Sequence, residues 1–198
     1  LRLRQAYFDL NWEKSELLIG QAWHPMFNNV SPVMISFNSG SPFQPLNWSP
    51  QILYKQKISQ SWSASAACIY QMFYASDGPL GFSSSYNKKS MIPDIYLGVE
   101  NNSSHWISGI GFDIKTIKPD KNQITSVGGM IYAQYQNPLF QFKTKAVLGQ
   151  NMSEHVMIGG YGISQFENNL TTAASYTNLN TLTYWVNAVY GKKVQYGF

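Results

Sequence analysis

Alternation between apolar and polar residues is the dominant pattern along this chain, and it recurs in stretches of about ten residues. In 140–148, Gln141, Lys143 and Lys145 share one parity, while Phe140, Phe142, Thr144, Ala146 and Leu148 share the other. Successive side chains of a strand point to opposite faces, so this segment predicts a strand with one cationic and one apolar face. Segment 105–117 repeats the pattern, with Trp106, Ile110, Phe112 and Ile114 opposite Asp113 and Lys115. So does 51–58, where Ile52, Tyr54 and Ile58 oppose Gln51, Lys55 and Lys57. In 62–74, Trp62, Ala64, Ala66, Cys68, Tyr70 and Met72 oppose Ser63, Ser65 and Gln71. In 94–100, Ile95, Leu97 and Val99 oppose Asp94, Tyr96 and Glu100. Gly128 and Gly129 blur the pattern in 124–136, and the faces of 2–10 stay unassigned. Helical periodicity is nearly absent.

About ten strands are expected, and the links between them sort by length. Short links fall near 13–15, 59–61, 101–104, 137–139 and 191–192, and long ones at 24–48, 75–90 and 151–180. A short link near 119–122 is the exception on the long side. Short turns at one end and long loops at the other are the pattern of outer-membrane barrels. In lipid every backbone polar group needs an internal partner, which a closed sheet supplies with tilted strands of about 9–11 residues. Trp12, Trp23, Trp48, Trp62, Trp106, Tyr184 and Trp185 lie near segment ends and predict an interfacial girdle. The fold expected is all-β: an antiparallel transmembrane β-barrel in up-and-down meander order. Residues 1–198 would form a single partial barrel domain, truncated at both ends, from a larger barrel.

Composition narrows the choice. Aromatics are 15% of residues and charged residues 12%, against about 25% charged in ordinary soluble domains. No run reaches the roughly 18 apolar residues of a transmembrane helix. A formal charge of +4, scattered along the chain, gives no nucleic-acid footprint. One cysteine, Cys68, excludes an internal disulfide and a cysteine-built zinc site. A secreted all-β protein that binds glycans through its aromatics shares this profile and remains an alternative.

The stretches 1–8 (LRLRQAYF), 20–27 (GQAWHPMF) and 42–45 (PFQP) resemble a group of outer-membrane porin-like proteins of Bacteroidetes. The pieces 91–94 (MIPD), 111–116 (GFDIKT) and 148–151 (LGQN) fit the same group. More distantly, the Gly20-Gln21 stretch resembles DcaP-like and phosphate-selective porins. That resemblance implies a homotrimer of barrels of about sixteen strands that passes small anionic solutes. Phosphate selectivity does not carry over. Its arginine ladder is reduced here to Arg2 and Arg4, and Trp23 and His24 stand where a basic residue belongs.

The residues themselves suggest where solutes would pass. Lys55, Lys57, Lys115, Lys143 and Lys145, with Asp94, Glu100 and Asp113, occupy polar strand faces and are the expected pore lining. An excess of lysine predicts a modest anion preference. The same residues would do nothing for selectivity if they pair with one another or face bulk water. Loop 24–48 is rich in proline, which stiffens it, and carries His24, Phe27, Asn38, Phe43 and Gln44. It could fold into the lumen as a constriction or pack on the rim. His24, His105 and His155 share no metal-ligand spacing, and no Gly-x-Ser-x-Gly elbow occurs. No cofactor, metal or enzyme activity is expected. The reading is a porin-like channel for small polar or anionic solutes in outer-membrane lipid. A plugged barrel with a binding or structural role is its rival.

Overall fold

The computed structural model describes residues 4–27, 30–33, 41–167, 173–191 and 196–197. The strands are β1 (Ala6–Asn11), β2 (Ser15–Trp23), β3 (Trp48–Lys57), β4 (Trp62–Ile69), β5 (Asp94–Asn102), β6 (Trp106–Ile117), β7 (Ile124–Gln136), β8 (Phe140–Gln150), β9 (Gly160–Phe166), β10 (Ala173–Tyr190) and β11 (Tyr196–Gly197). They form a single antiparallel sheet in the order β1-β2-β3-β4-β5-β6-β7-β8-β10-β11, with β9 pairing only with β10. This is the expected meander, left unclosed. A short helix, α1 (Ser85–Ser90), and a 3-10 turn, Ser153–His155, are the helical elements among the described residues. No described helix is long and apolar enough to cross a membrane.

The parity read from the sequence sets which face points where. Ile110 (58% exposed), Ile131 (60%), Leu148 (62%) and Leu182 (68%) project outward from neighbouring strands. Lys115 (2%) and Lys145 (1%) project inward and are buried. A sheet that exposes its aliphatic residues and buries its lysines is inside out relative to a water-soluble fold. It suits an apolar surround and a polar interior.

The short links close tightly for local reasons. In the β7–β8 turn, Asn137 Oδ1 accepts from the N–H groups of Leu139 and Phe140 at 2.9 and 2.8 Å, an Asx turn. Around this end of the sheet, Trp106, Tyr135 and Phe140 pack in series, with ring centroids 5.0 and 6.4 Å apart. Trp12 and Trp62 are exposed at the same end. Part of the expected girdle is corrected. Trp23 stacks on Phe27, Trp48 is buried, and Trp185 hydrogen-bonds Gln44, so these three serve the interior.

The segment after 151 also departs from expectation. Part of the predicted loop 151–180 is a hairpin: β9 pairs with residues 173–179 of β10, and residues 180–190 of the same strand pair with β8. The hairpin carries polar residues such as Ser164, Gln165, Ser175 and Asn178, so neither face shows the apolar period that marks the wall strands.

On the concave side the sheet makes room for large rings by omitting side chains. Gly98 and Gly111 are direct cross-strand partners, and the buried ring of Tyr96 lies across both. A Cβ added at Gly111 would come within 2.6 Å of the Tyr96 hydroxyl, so only glycine leaves this shelf flat.

Candidate functional site: the filled concave face

The loops of the long-link end fold back onto the concave face, and the inward lysines hold them there. Lys145 Nζ donates to the carbonyls of Met26 and Phe27 at 3.3 and 3.2 Å, and lies 5.9 Å from the Tyr132 ring centroid. Lys143 Nζ donates to Ser31 O at 3.1 Å. From β10, Trp185 Nε1 donates to Gln44 Oε1 at 3.1 Å and Thr183 Oγ1 to Phe43 O at 3.3 Å. Gln44 Nε2 in turn donates to Phe27 O at 3.0 Å. The described parts of 24–47 therefore cross from β2 to β8 and β10 within the curve of the sheet. His24 and Gln44 are buried, Phe27 is half-buried against Trp23, and the Phe43 side chain is exposed. Asn38 lies outside the described residues.

Two further loops complete the filling. Lys115 pairs with Glu154 and donates to the carbonyl of Asn151, tying residues 151–155 to β6. Leu46 N–H donates to His155 O at 2.8 Å, which joins this segment to the first loop. In the loop before β5, Gln71 Nε2 and Asn87 Nδ2 donate to the two oxygens of Asp94 at 2.9 and 3.0 Å. Asp94 is buried and both its oxygens are engaged. Asp113, His24 and His155 meet at the centre, where burial and then neighbouring His155 hold His24 well below the usual imidazole pKa. Burial and then the Lys115 charge push His155 down to about 3. Both imidazoles are neutral at neutral pH.

Toward the short-turn end the concave face keeps a recess of about 300 Å³, lined by Trp23, Phe27, Tyr96, Tyr132, Lys55 and Glu100 among others. Glu100 accepts from Tyr132 Oη at 2.9 Å and lies 3.9 Å from Lys55 Nζ. Lys57 is exposed at the strand end. The eight expected pore-lining residues thus divide by depth. Lys55 and Glu100 face the recess, Lys57 is exposed at the strand end away from the loops, and Asp94, Asp113, Lys115, Lys143 and Lys145 are engaged with loops. Glu16 lines the recess and Glu154 answers Lys115, and neither is singled out by the sequence reading. With them the acids on this face (Glu16, Asp94, Glu100, Asp113, Glu154) match the five lysines. Alternation reports a face but gives no sign of what covers it, and Glu154 sits in a loop with no period to mark it.

No protein-family model and no curated protein sequence matches the chain. Among solved structures, it is similar to the outer-membrane channel DcaP of Acinetobacter baumannii, with a TM-score of 0.70 and 13% sequence identity. The match covers 97% of this chain and 56% of DcaP, so the chain spans about half the length of that neighbour. At this identity the likeness is one of fold: the unclosed antiparallel meander, with β9 appended to β10, resembles the wall of an outer-membrane barrel.

Proposed function

We propose that this chain is part of the wall of a porin-like outer-membrane channel whose lumen is narrowed by its own loops. Small polar solutes would pass by diffusion. The observation that carries the reading is the anchoring of the described parts of 24–47 across the concave face by Lys143, Lys145, Trp185 and Thr183. Such a loop reduces a wide barrel to a small charged aperture without closing the wall. The outward aliphatic face supplies the lipid contact. The finer reading, a preference for anions, rests on Lys55 and Lys57, the lysines that the loops leave uncovered. A homotrimer is the assembly that fits the resemblance to DcaP-like porins.

A second reading has its own support. Lys115, Lys145, His155 and Glu154 are buried almost completely, as in a barrel plugged for a binding or structural role. Single-channel recording of the full-length protein in a planar bilayer under a salt gradient separates the two. Stepwise ohmic openings with an anion-directed reversal potential are expected. Cation-directed openings would keep the channel and remove the lysine argument. A folded, heat-modifiable protein that stays electrically silent would leave the plugged barrel.

A further inference from the structure

Three side chains from distant parts of the sequence converge inside the sheet. His24 enters from the loop after β2, Asp113 from the middle of β6, and His155 from the 3-10 turn. One ligating atom from each lies within 4.8 Å of the other two, and all three residues are buried. His24 Nε2 is 3.7 Å from Asp113 Oδ1, and the two imidazoles meet edge to face with centroids 4.6 Å apart.

The atoms gathered there are short of partners. Asp113 Oδ1 and both ring nitrogens of His155 accept or donate no hydrogen bond. His155 Nε2 approaches Glu154 Oε1 at 3.2 Å, but off the hydrogen-bonding direction. Buried polar atoms are nearly always satisfied, so three orphans at one point call for a missing occupant. The donors say what kind. Two imidazoles and the carboxylate oxygens of Asp113 and Glu154 are metal-ligating groups, and all four side chains are buried.

We infer that His24, Asp113 and His155 bind one divalent transition-metal ion, with Glu154, whose Oε1 lies 3.2 Å from His155 Nε2, as a fourth donor. Two imidazoles and carboxylate oxygens suit zinc, and exclude magnesium and calcium, which take oxygen ligands. At zinc bond lengths tetrahedral donors stand about 3.3 Å apart, so the ion draws these groups slightly inward. One hydrogen bond is given up. Met26 N–H donates to His24 Nδ1 at 3.2 Å, and ligation through Nε2 moves the ring proton onto Nδ1. His24 also lines the recess, which provides the entry path. The bound ion ties the first long loop, the wall and the 151–159 loop together at one point.

The test uses the full-length protein folded in detergent, stripped with a chelator and then titrated with zinc alone. One equivalent per chain is expected by elemental analysis. Asp113→Asn and His155→Gln should each weaken binding by at least about tenfold. His105→Gln, at an exposed turn position, should leave it unchanged. Heat-modifiable migration reports whether each variant has folded. X-ray absorption of the zinc-loaded wild type needs no variant, and should show two imidazoles with oxygen and no sulfur. Failure of the folded wild type to hold zinc, or a spectrum with fewer than two imidazoles, overturns the site. Loss of binding in His105→Gln alone does so equally. Conductance plays no part in this readout, so the site can fail while the channel stands, and the reverse.

Discussion

Lys145, in the eighth strand of the wall, donates to the carbonyl oxygen of Met26 in the first long loop, and its neighbour Phe27 shares the same amine. A single buried amine thus fixes the position of a loop that begins more than a hundred residues earlier. Lys145→Met keeps the stem and removes both hydrogen bonds, a loss of about 2 kcal/mol. The loop should then be freer to leave the concave face. In planar bilayers the variant is expected to show larger and noisier unitary currents than the wild type. Unchanged currents from a folded variant would mean that the loop does not set the aperture.

The outward face makes a sharper demand on the surroundings. Ile131→Arg places a guanidinium beside Ile110, Ala146 and Leu148, near mid-wall. In a bilayer this costs about 2–4 kcal/mol. Denaturant titration of folding into phosphatidylcholine vesicles should show that loss. A protein whose outer face is wetted would tolerate the change, so a neutral result removes the membrane reading.

The Tyr96 shelf is tuned to the absence of a side chain. Gly111→Val drives methyl groups into the Tyr96 ring and Met130, and overpacking of this kind costs about 1–3 kcal/mol. The ring should swing into the recess. Reduced folding yield together with a smaller conductance in the folded fraction is the expected pair of outcomes. Normal yield and normal conductance would show that the ring has other room.

Selectivity is tested at the uncovered pair. Lys55→Glu reverses a charge that faces Glu100 across the recess. The reversal potential under a salt gradient should shift toward cations. Glu100→Gln should shift it the other way. Identical reversal potentials in both variants would move ion discrimination elsewhere in the lumen.

What alternation could convey was conveyed. Ile110, Phe112 and Ile114 lie on one face and Asp113 and Lys115 on the other, because a strand in a two-sided environment must write that environment into its parity. The link lengths carried the meander. Depth was not legible: Lys143 and Lys145 read alike with Lys55 and Lys57, yet the first two are covered and the last is exposed. What separates them is a loop from another part of the chain. The β9 hairpin was hidden because polar residues interrupt its alternation, although Tyr161 and Tyr176 pack against Tyr86, Ile117 and Ile124. The meeting of His24 with Asp113 and His155 was hidden because residues on a wall and on two inserted loops share no spacing.

The longest strand carries one more consequence. At 18 residues β10 spans about 60 Å, well beyond the 9–11 residues that a tilted wall strand needs. Its far half belongs to the β9 hairpin, and its near half holds Phe43 and Gln44 through Thr183 and Trp185. The strand is therefore a continuous ribbon that joins the hairpin, held to β7 by Asn178, to the loop inside the wall. Whatever grips or tilts the hairpin pulls on the same ribbon that positions the loop over the aperture.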